Sequence, residues 1–190
     1  MDSFVSDIEN IRKRARQHIT DGAVTAANKT DREQVIKVLN EVLATEIVCN
    51  LRYRRHYHMA DGLYSESVKA EFLQHAQEEQ GHAEAVATRI VQLNGAPDFN
   101  PVSLSTRSHA EYSEGEDLIS MIEEDLVAER IAIETYSEIA RWLADRDPTT
   151  RRLMEEILQK EEEHAEDLAS LIARLPNEKK VTGAGNTATQ

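Results

Sequence analysis

Two short elements of the sequence share one arrangement of donor atoms. They are Glu79-Gln80-Gly81-His82 and Glu161-Glu162-Glu163-His164, both Glu-x-x-His. A spacing of three residues puts both side chains on one face of a helix, where they can hold the same metal ion. Each element is preceded by another glutamate, Glu46 by 33 residues and Glu129 by 32. The pattern Glu…Glu-x-x-His thus occurs twice, a pseudo-two-fold ligand set for two ions. Four carboxylates and two imidazoles balance the charge of two divalent cations. Hard oxygen donors with one imidazole per ion suit iron or manganese, and admit zinc. The chemistry open to such a pair is redox or Lewis-acid chemistry.

The elements that must position these six residues are four long helices. Glycine and proline are scarce, with 7 and 4 in 190 residues, and they cluster so as to leave four uninterrupted segments, about 31–61, 65–94, 115–145 and 148–175. Each would be about 45 Å long as a helix. Thr30-x-x-Glu33 and Ser113-x-x-Glu116 read as capping boxes. Asp147-Pro148 reads as an N-cap before a first-turn proline, and Gly62 and Gly95 as left-handed C-caps. Apolar residues recur at heptad-like spacing, for example Val35, Leu39, Val42, Cys49, Tyr53 in the first segment and Leu153, Ile157, Leu168, Leu171, Leu175 in the fourth. Such stripes predict an all-α four-helix bundle.

In each stripe one apolar position is taken by a glutamate: Glu46, Glu79, Glu129 and Glu161. They stand at positions 16, 15, 15 and 14 of their segments, so in a bundle of equal helices they meet at one height. Unneutralised, they would repel strongly in a low dielectric; a cation must sit among them. Salt-bridged core acids are the competing reading. One Glu-x-x-His is a weak signal on a charged helix, and the doubled set outweighs it.

The connections predict the topology. Residues 62–64 and 146–147 are tight turns, so helices one and two, and three and four, form antiparallel hairpins. Residues 95–114 lack a helical pattern and could span about 66 Å, enough for a crossover between helices two and three and an up-down-down-up order. Residues 1–30 are expected to form a short amphipathic helix (Phe4, Ile8, Ile11, Ala15, Ile19) with a linker, and 176–190 a disordered polar tail.

Composition narrows the function classes. The net charge is −13, with 35 acids and 22 bases. That argues against a broad nucleic-acid-binding face. The lone Cys49 rules out an internal disulfide framework and a cysteine zinc site. No apolar run is long enough to span a membrane, and the first residues lack a signal-peptide pattern; a cytoplasmic location is the expectation.

The segments Leu39-Asn40, Thr45-Glu46-Ile47, Glu79-Gln80-Gly81-His82-Ala83, Leu126-Val127-Ala128-Glu129 and Glu161-Glu162-Glu163-His164 resemble the bacterioferritin branch of the ferritin-like superfamily, over about residues 33–173. The resemblance implies an intra-subunit di-iron ferroxidase centre. Glu46 and Glu129 would be terminal ligands, Glu79 and Glu161 would bridge, and His82 and His164 would take one metal each. It further implies oxidation of Fe²⁺ by O₂ or H₂O₂ and storage of Fe³⁺ in a hollow homo-oligomeric shell, limiting Fenton chemistry. Three departures sharpen this. Gln80 stands where the haem methionine would follow the bridging glutamate, so no haem is expected. The helix that lines the four-fold channel of 24-subunit ferritins is missing after Leu175, which favours a 12-subunit, Dps-like cage. With one thiol, the thiol pair of some Dps-like proteins cannot form within the chain.

Around the six, Asp125 lies four residues before Glu129 and is a candidate to accept the outer N–H of a ligand histidine. Tyr53, two turns past Glu46, is a candidate hydrogen-bond or electron donor, against an ordinary core tyrosine; Tyr136 occupies the symmetric place. His75 reads as a satisfied polar histidine rather than a third imidazole ligand, Gly81 as a point of close helix packing, Cys49 as a small core residue. Arg52, Arg54 and Arg55 read as subunit-interface salt bridges. Arg12, Lys13, Arg14 and Arg16 could contact DNA, but residues 1–30 carry a net charge of only +1. Two other functions compete with iron storage: a non-storing di-metal redox enzyme (a rubrerythrin-like peroxidase, though without its CxxC iron site, or a manganese catalase) and a DNA-protecting Dps-like protein.

Overall fold

The computed structural model describes residues 6–62 and 64–175. All regular structure among them is helical: α1 (Ile8–Ala15), a 3₁₀ turn (Ile19–Asp21), α2 (Arg32–Met59), α3 (Ser65–Gln92), the one-turn α4 (Leu104–Arg107), α5 (Leu118–Leu143) and α6 (Pro148–Arg174). The expectations for Phe4 and for 176–190 fall outside the described residues.

The four long helices form a bundle whose pairings fix the chain direction. Asn50 meets Ala76 and Glu46 meets His82, so α2 and α3 are antiparallel. Tyr53 meets Glu129 and Tyr136 meets Glu46, so α2 and α5 are antiparallel too. Arg89 meets Thr150 while Glu78 meets His164, so α3 and α6 are antiparallel. It follows that α3 and α5 run parallel, joined by a crossover: up-down-down-up.

Helix ends follow the chemistry of short acidic side chains. Asp147 accepts from the Thr150 N–H at 3.1 Å, and Pro148 opens the helix. The Arg89 guanidinium grips both oxygens of Asp147 at 2.9 and 3.1 Å, tying the end of α3 to the start of α6. Two expected capping boxes are corrected. The cap of α2 is Asp31, bonded to the Gln34 N–H. The capping box of α5 is Asp117 with Ser120. A carboxylate one position on, or four on, displaces the hydroxyl. Asn94 (φ 60°), not Gly95, takes the left-handed turn after α3. The Gly95 and Asn94 N–H groups close on the Ile90 and Val91 carbonyls. Gly95 instead permits close approach, since a Cβ there would lie 2.8 Å from Ile36 Cγ2. Gly81, expected at a close contact, faces open space; nothing in the structure explains it.

The crossover holds a turn of helix, α4, that the sequence pattern did not reveal. It is pinned to α2 by polar bonds. Arg107 donates to the Asn40 carbonyl at 2.8 Å, Arg52 to that of Glu111 at 2.9 Å, and His56 Nε2 to that of Glu114 at 3.1 Å.

The apolar core lies in two blocks. One gathers Val35, Leu39, Leu43, Val86, Ile90, Leu143 and Met154 near one end of the bundle. The other gathers Tyr53, Val68, Phe72, Ile122 and Leu168 near the other. Burial of each large side chain contributes about 1.5–3 kcal/mol. A polar layer lies between the blocks.

Candidate metal centre

That layer holds the four glutamates of the stripes, each no more than 2% exposed. Each sits mid-helix, flanked along its own stripe by residues of the two apolar blocks, so folding carries it inward. His164 is 1% exposed, and the His82 side chain, at 13%, has partial access to solvent.

The oxygens are shared out in a definite way. His82 Nδ1 lies 3.1 Å from Glu46 Oε2, 3.1 Å from Glu161 Oε1 and 3.7 Å from Glu79 Oε2. His164 Nδ1 lies 3.4 Å from Glu79 Oε1, 3.3 Å from Glu161 Oε2 and 3.9 Å from Glu129 Oε1. Glu79 and Glu161 therefore each turn one oxygen to each histidine, while Glu46 belongs to His82 and Glu129 to His164. Two four-residue groups result, Glu46/Glu79/His82/Glu161 and Glu79/Glu129/Glu161/His164, with donor atoms within 4.8 Å of one another in each. The ring centroids of the two histidines are 6.2 Å apart.

Several of these buried atoms have no hydrogen-bond partner: Glu79 Oε1, both oxygens of Glu161, and His164 Nδ1. Orphaned buried acceptors are costly unless a cation satisfies them. Donor type, count and spacing fit two divalent transition-metal ions, each about 2.0–2.2 Å from its donors.

Protons mark the same places. Burial opposes charge on both imidazoles, but the surrounding carboxylates overcome it, pushing His82 up to about 12 and His164 higher still. Burial and the Glu79 charge push Glu46 up to about 8. Burial also drives Glu161 well above the carboxylate range. Glu79 is buried as deeply, yet its contacts with His164 and His82 hold it below that range. In the metal-free protein at neutral pH, protons on His82, His164 and Glu46 therefore stand in for part of the cations' charge. Metal ligands must shed their protons. Zn²⁺ binding is expected to release several protons per chain and to tighten as pH rises from 6 to 8. Calorimetry in buffers of different ionisation enthalpy measures this; release of less than one proton would contradict the assignment.

Surrounding residues fix the donors, and here the structure departs from expectation. Asp125 touches neither ligand histidine. It is fully buried between Arg52 Nε at 2.7 Å and His56 Nδ1 at 2.8 Å, the same two α2 side chains that hold the crossover. The outer nitrogen of His164 instead donates to Glu78 at 2.5 Å, which leaves the Nδ1 lone pair for the metal. Nothing in the stripe marked Glu78; only its place on the α3 face toward α6 does. The residue before Glu161 is Lys160, so the other half-site lacks this carboxylate. Loss of such a partner weakens metal affinity by about 10–100-fold. Glu78→Gln is expected to do so for one ion and spare the other, giving two separated steps in a Co²⁺ titration.

The tyrosines pair crosswise. Tyr53 on α2 donates to Glu129 on α5, and Tyr136 on α5 donates to Glu46 on α2. Each thereby orients one unshared carboxylate. Burial raises both phenols well above their usual range, so they remain protonated donors. Cys49 is buried beside Ala110 and Ala128. The arginines expected at subunit interfaces are engaged within the chain: Arg52 with Asp125, Arg54 with Gln80, Arg55 with Glu114. His75, expected to be satisfied, is not: its Nε2 is buried and unpaired.

Comparison with known proteins agrees with this fold. Residues 36–177 match the ferritin family, described as a ferritin-like domain. The bacterioferritin of Desulfovibrio desulfuricans is 32% identical over 142 residues, 73% of this chain and 75% of that protein. The DNA protection during starvation protein of Pyrococcus furiosus is 29% identical over 151 residues, 77% of this chain and 81% of that one. Among solved structures, the dodecameric thioferritin of Bacteroides fragilis, a bacterioferritin-related protein, superposes with a TM-score of 0.74 at 32% identity, covering 76% of this chain and 88% of that chain. No helix among the described residues is long and apolar enough to cross a membrane.

Proposed function

The chain belongs to the ferritin-like family, in its bacterioferritin and Dps-like branch, and on that premise we propose that it is a ferroxidase whose substrate is Fe²⁺ and whose product, Fe³⁺, is stored in a homo-oligomeric shell. The observation that carries this reading is the sharing of Glu79 and Glu161 between the two histidines. It makes a site for two ions rather than one.

A pair is what the reaction needs. Each Fe²⁺ gives one electron; two together supply the two that cleave H₂O₂ to water with two protons, or that reduce O₂ to H₂O₂. Glu46, Glu79, His82, Glu129, Glu161 and His164 bind and space the ions. Tyr53 and Tyr136 hold the terminal carboxylates in place. The partly exposed edge of His82 is the side from which substrate reaches the layer. A 12-subunit shell is the assembly suggested by the dodecameric Bacteroides fragilis relative.

Anaerobic addition of Fe²⁺ followed by O₂ or H₂O₂ tests the proposal. Two Fe²⁺ per chain are expected to oxidise in a fast phase, with later additions depositing mineral inside a particle of about twelve chains. A fast phase without storage would favour the non-storing enzyme instead.

A further inference from the structure

The dinuclear layer leaves one buried imidazole unexplained. His75 is fully buried on α3, four residues before Glu79. Its ring stacks on that of His164 with centroids 4.0 Å apart. Its two nitrogens have different surroundings. Nδ1 lies 3.3 Å from the Tyr53 hydroxyl. That hydroxyl already gives its proton to Glu129, so its oxygen accepts, and His75 donates from Nδ1–H. The neutral ring then carries its lone pair on Nε2. Nε2 has no hydrogen-bond partner, and it faces Glu71 Oε2 and Asp167 Oδ2, each at 3.9 Å. Three potential donors thus lie side by side, and the buried nitrogen among them has no hydrogen-bond partner. Lys160, the nearby base on α6, is paired with Glu163.

We propose that Glu71, His75 and Asp167 form a third metal site, mononuclear and separate from the dinuclear centre, for a divalent transition-metal ion. The three donor atoms lie within 4.8 Å of one another. An ion bonded at about 2.0–2.2 Å can bridge donors separated by up to about 4 Å. One nitrogen and two oxygens match Fe²⁺, Mn²⁺ or Zn²⁺ rather than Ca²⁺ or Mg²⁺. The side chains of Glu71 and Asp167 are 37% and 56% exposed, so water completes the coordination and the ion exchanges readily. The site opens to solvent on one side. On the other it backs onto the ring of a dinuclear ligand, the position of a station for ions moving to or from the centre. That role rests on the oxidation reaction proposed above; the binding of an ion does not.

Zn²⁺, which is redox-inert, separates the two. Crystals of the full-length protein soaked in Zn²⁺ are expected to show three anomalous peaks per chain: two among the six central ligands and a third next to His75 Nε2. In the double variant Glu71→Gln/Asp167→Asn, both substitutions being on accessible side chains, the two central peaks are expected to remain and report an intact fold, while the third disappears. Central peaks without a third in the wild type, or a third that survives in the variant, would overturn the site. In solution, the variant preloaded anaerobically with two Fe²⁺ per chain is expected to oxidise later additions severalfold more slowly than the wild type. Unchanged later rates would overturn the station role. Three Zn²⁺ peaks with no Fe²⁺ oxidation in the wild type would refute the ferroxidase reading and leave the site standing.

Discussion

Glu79→Gln is expected to eliminate the fast phase of Fe²⁺ oxidation, lowering its rate by more than about 100-fold, since loss of a mere supporting partner already costs about 10–100-fold in metal affinity or activity. Glu79 turns one oxygen toward each histidine, so the amide weakens both ions at once. A terminal ligand such as Glu46 touches only the His82 half. The substitution keeps the size and hydrogen-bonding reach of the side chain, so the helix and its packing persist. His164→Ala is expected to give the same kinetic loss by removing one ion's nitrogen donor. Glu84→Gln, on the exposed face of α3, is the matched control and should retain the fast phase. Stopped-flow absorbance after mixing the anaerobic Fe²⁺-loaded protein with O₂ or H₂O₂ reads the difference. A fast phase of wild-type amplitude in Glu79→Gln would place the reaction elsewhere.

The second large effect is on stability. A ligand at about 100 times its dissociation constant stabilises the state that binds it by about 2.7 kcal/mol. For two ions and a domain of this size, that becomes a rise in Tm of about 10–20 °C. Differential scanning calorimetry with Zn²⁺ and with a chelator measures it. Glu161→Gln separates metal binding from packing. Burial pushes the Glu161 carboxyl up and favours its neutral form, so without metal the isosteric amide should melt within a few degrees of wild type. With Zn²⁺ its increment should fall by at least half, because both ions lose a shared ligand. An increment equal to that of the wild type would mean that the stabilising ions bind outside this layer.

Much of the centre was legible in the sequence because its logic is local. Glutamate at an apolar position of a heptad stripe is a contradiction within one helix, and the 3.6-residue period places Glu79 with His82, and Glu161 with His164, on single faces. Four such contradictions at matching heights point to a shared buried layer, where the structure has all four glutamates at no more than 2% exposure. The all-helical bundle and the crossover were legible for the same reason: scarce glycine and proline leave long helices, and one long link joins two hairpins. Boundaries moved by a few residues where Asp31 and Asp117, as stronger local acceptors, outcompeted neighbouring hydroxyls for the first free N–H groups.

What crosses between helices was decided only by tertiary structure. Antiparallel packing of α2 on α5 sets Tyr53 against Glu129 and Tyr136 against Glu46, a pairing that same-helix spacing cannot express. Asp125 stands on the ligand-bearing stripe, yet buried Arg52 and His56 on α2 claim it. Glu78 lies beside the stripe, yet the rotation of α3 against α6 aims it at His164. His75 carried the right spacing for the centre, but its free nitrogen points the other way, toward Glu71 and Asp167. The sequence by itself determined which residues must be buried together, because periodicity along one helix fixes a face. The tertiary structure decided which partner each of them meets, because helix rotation and register are set by packing across the whole bundle.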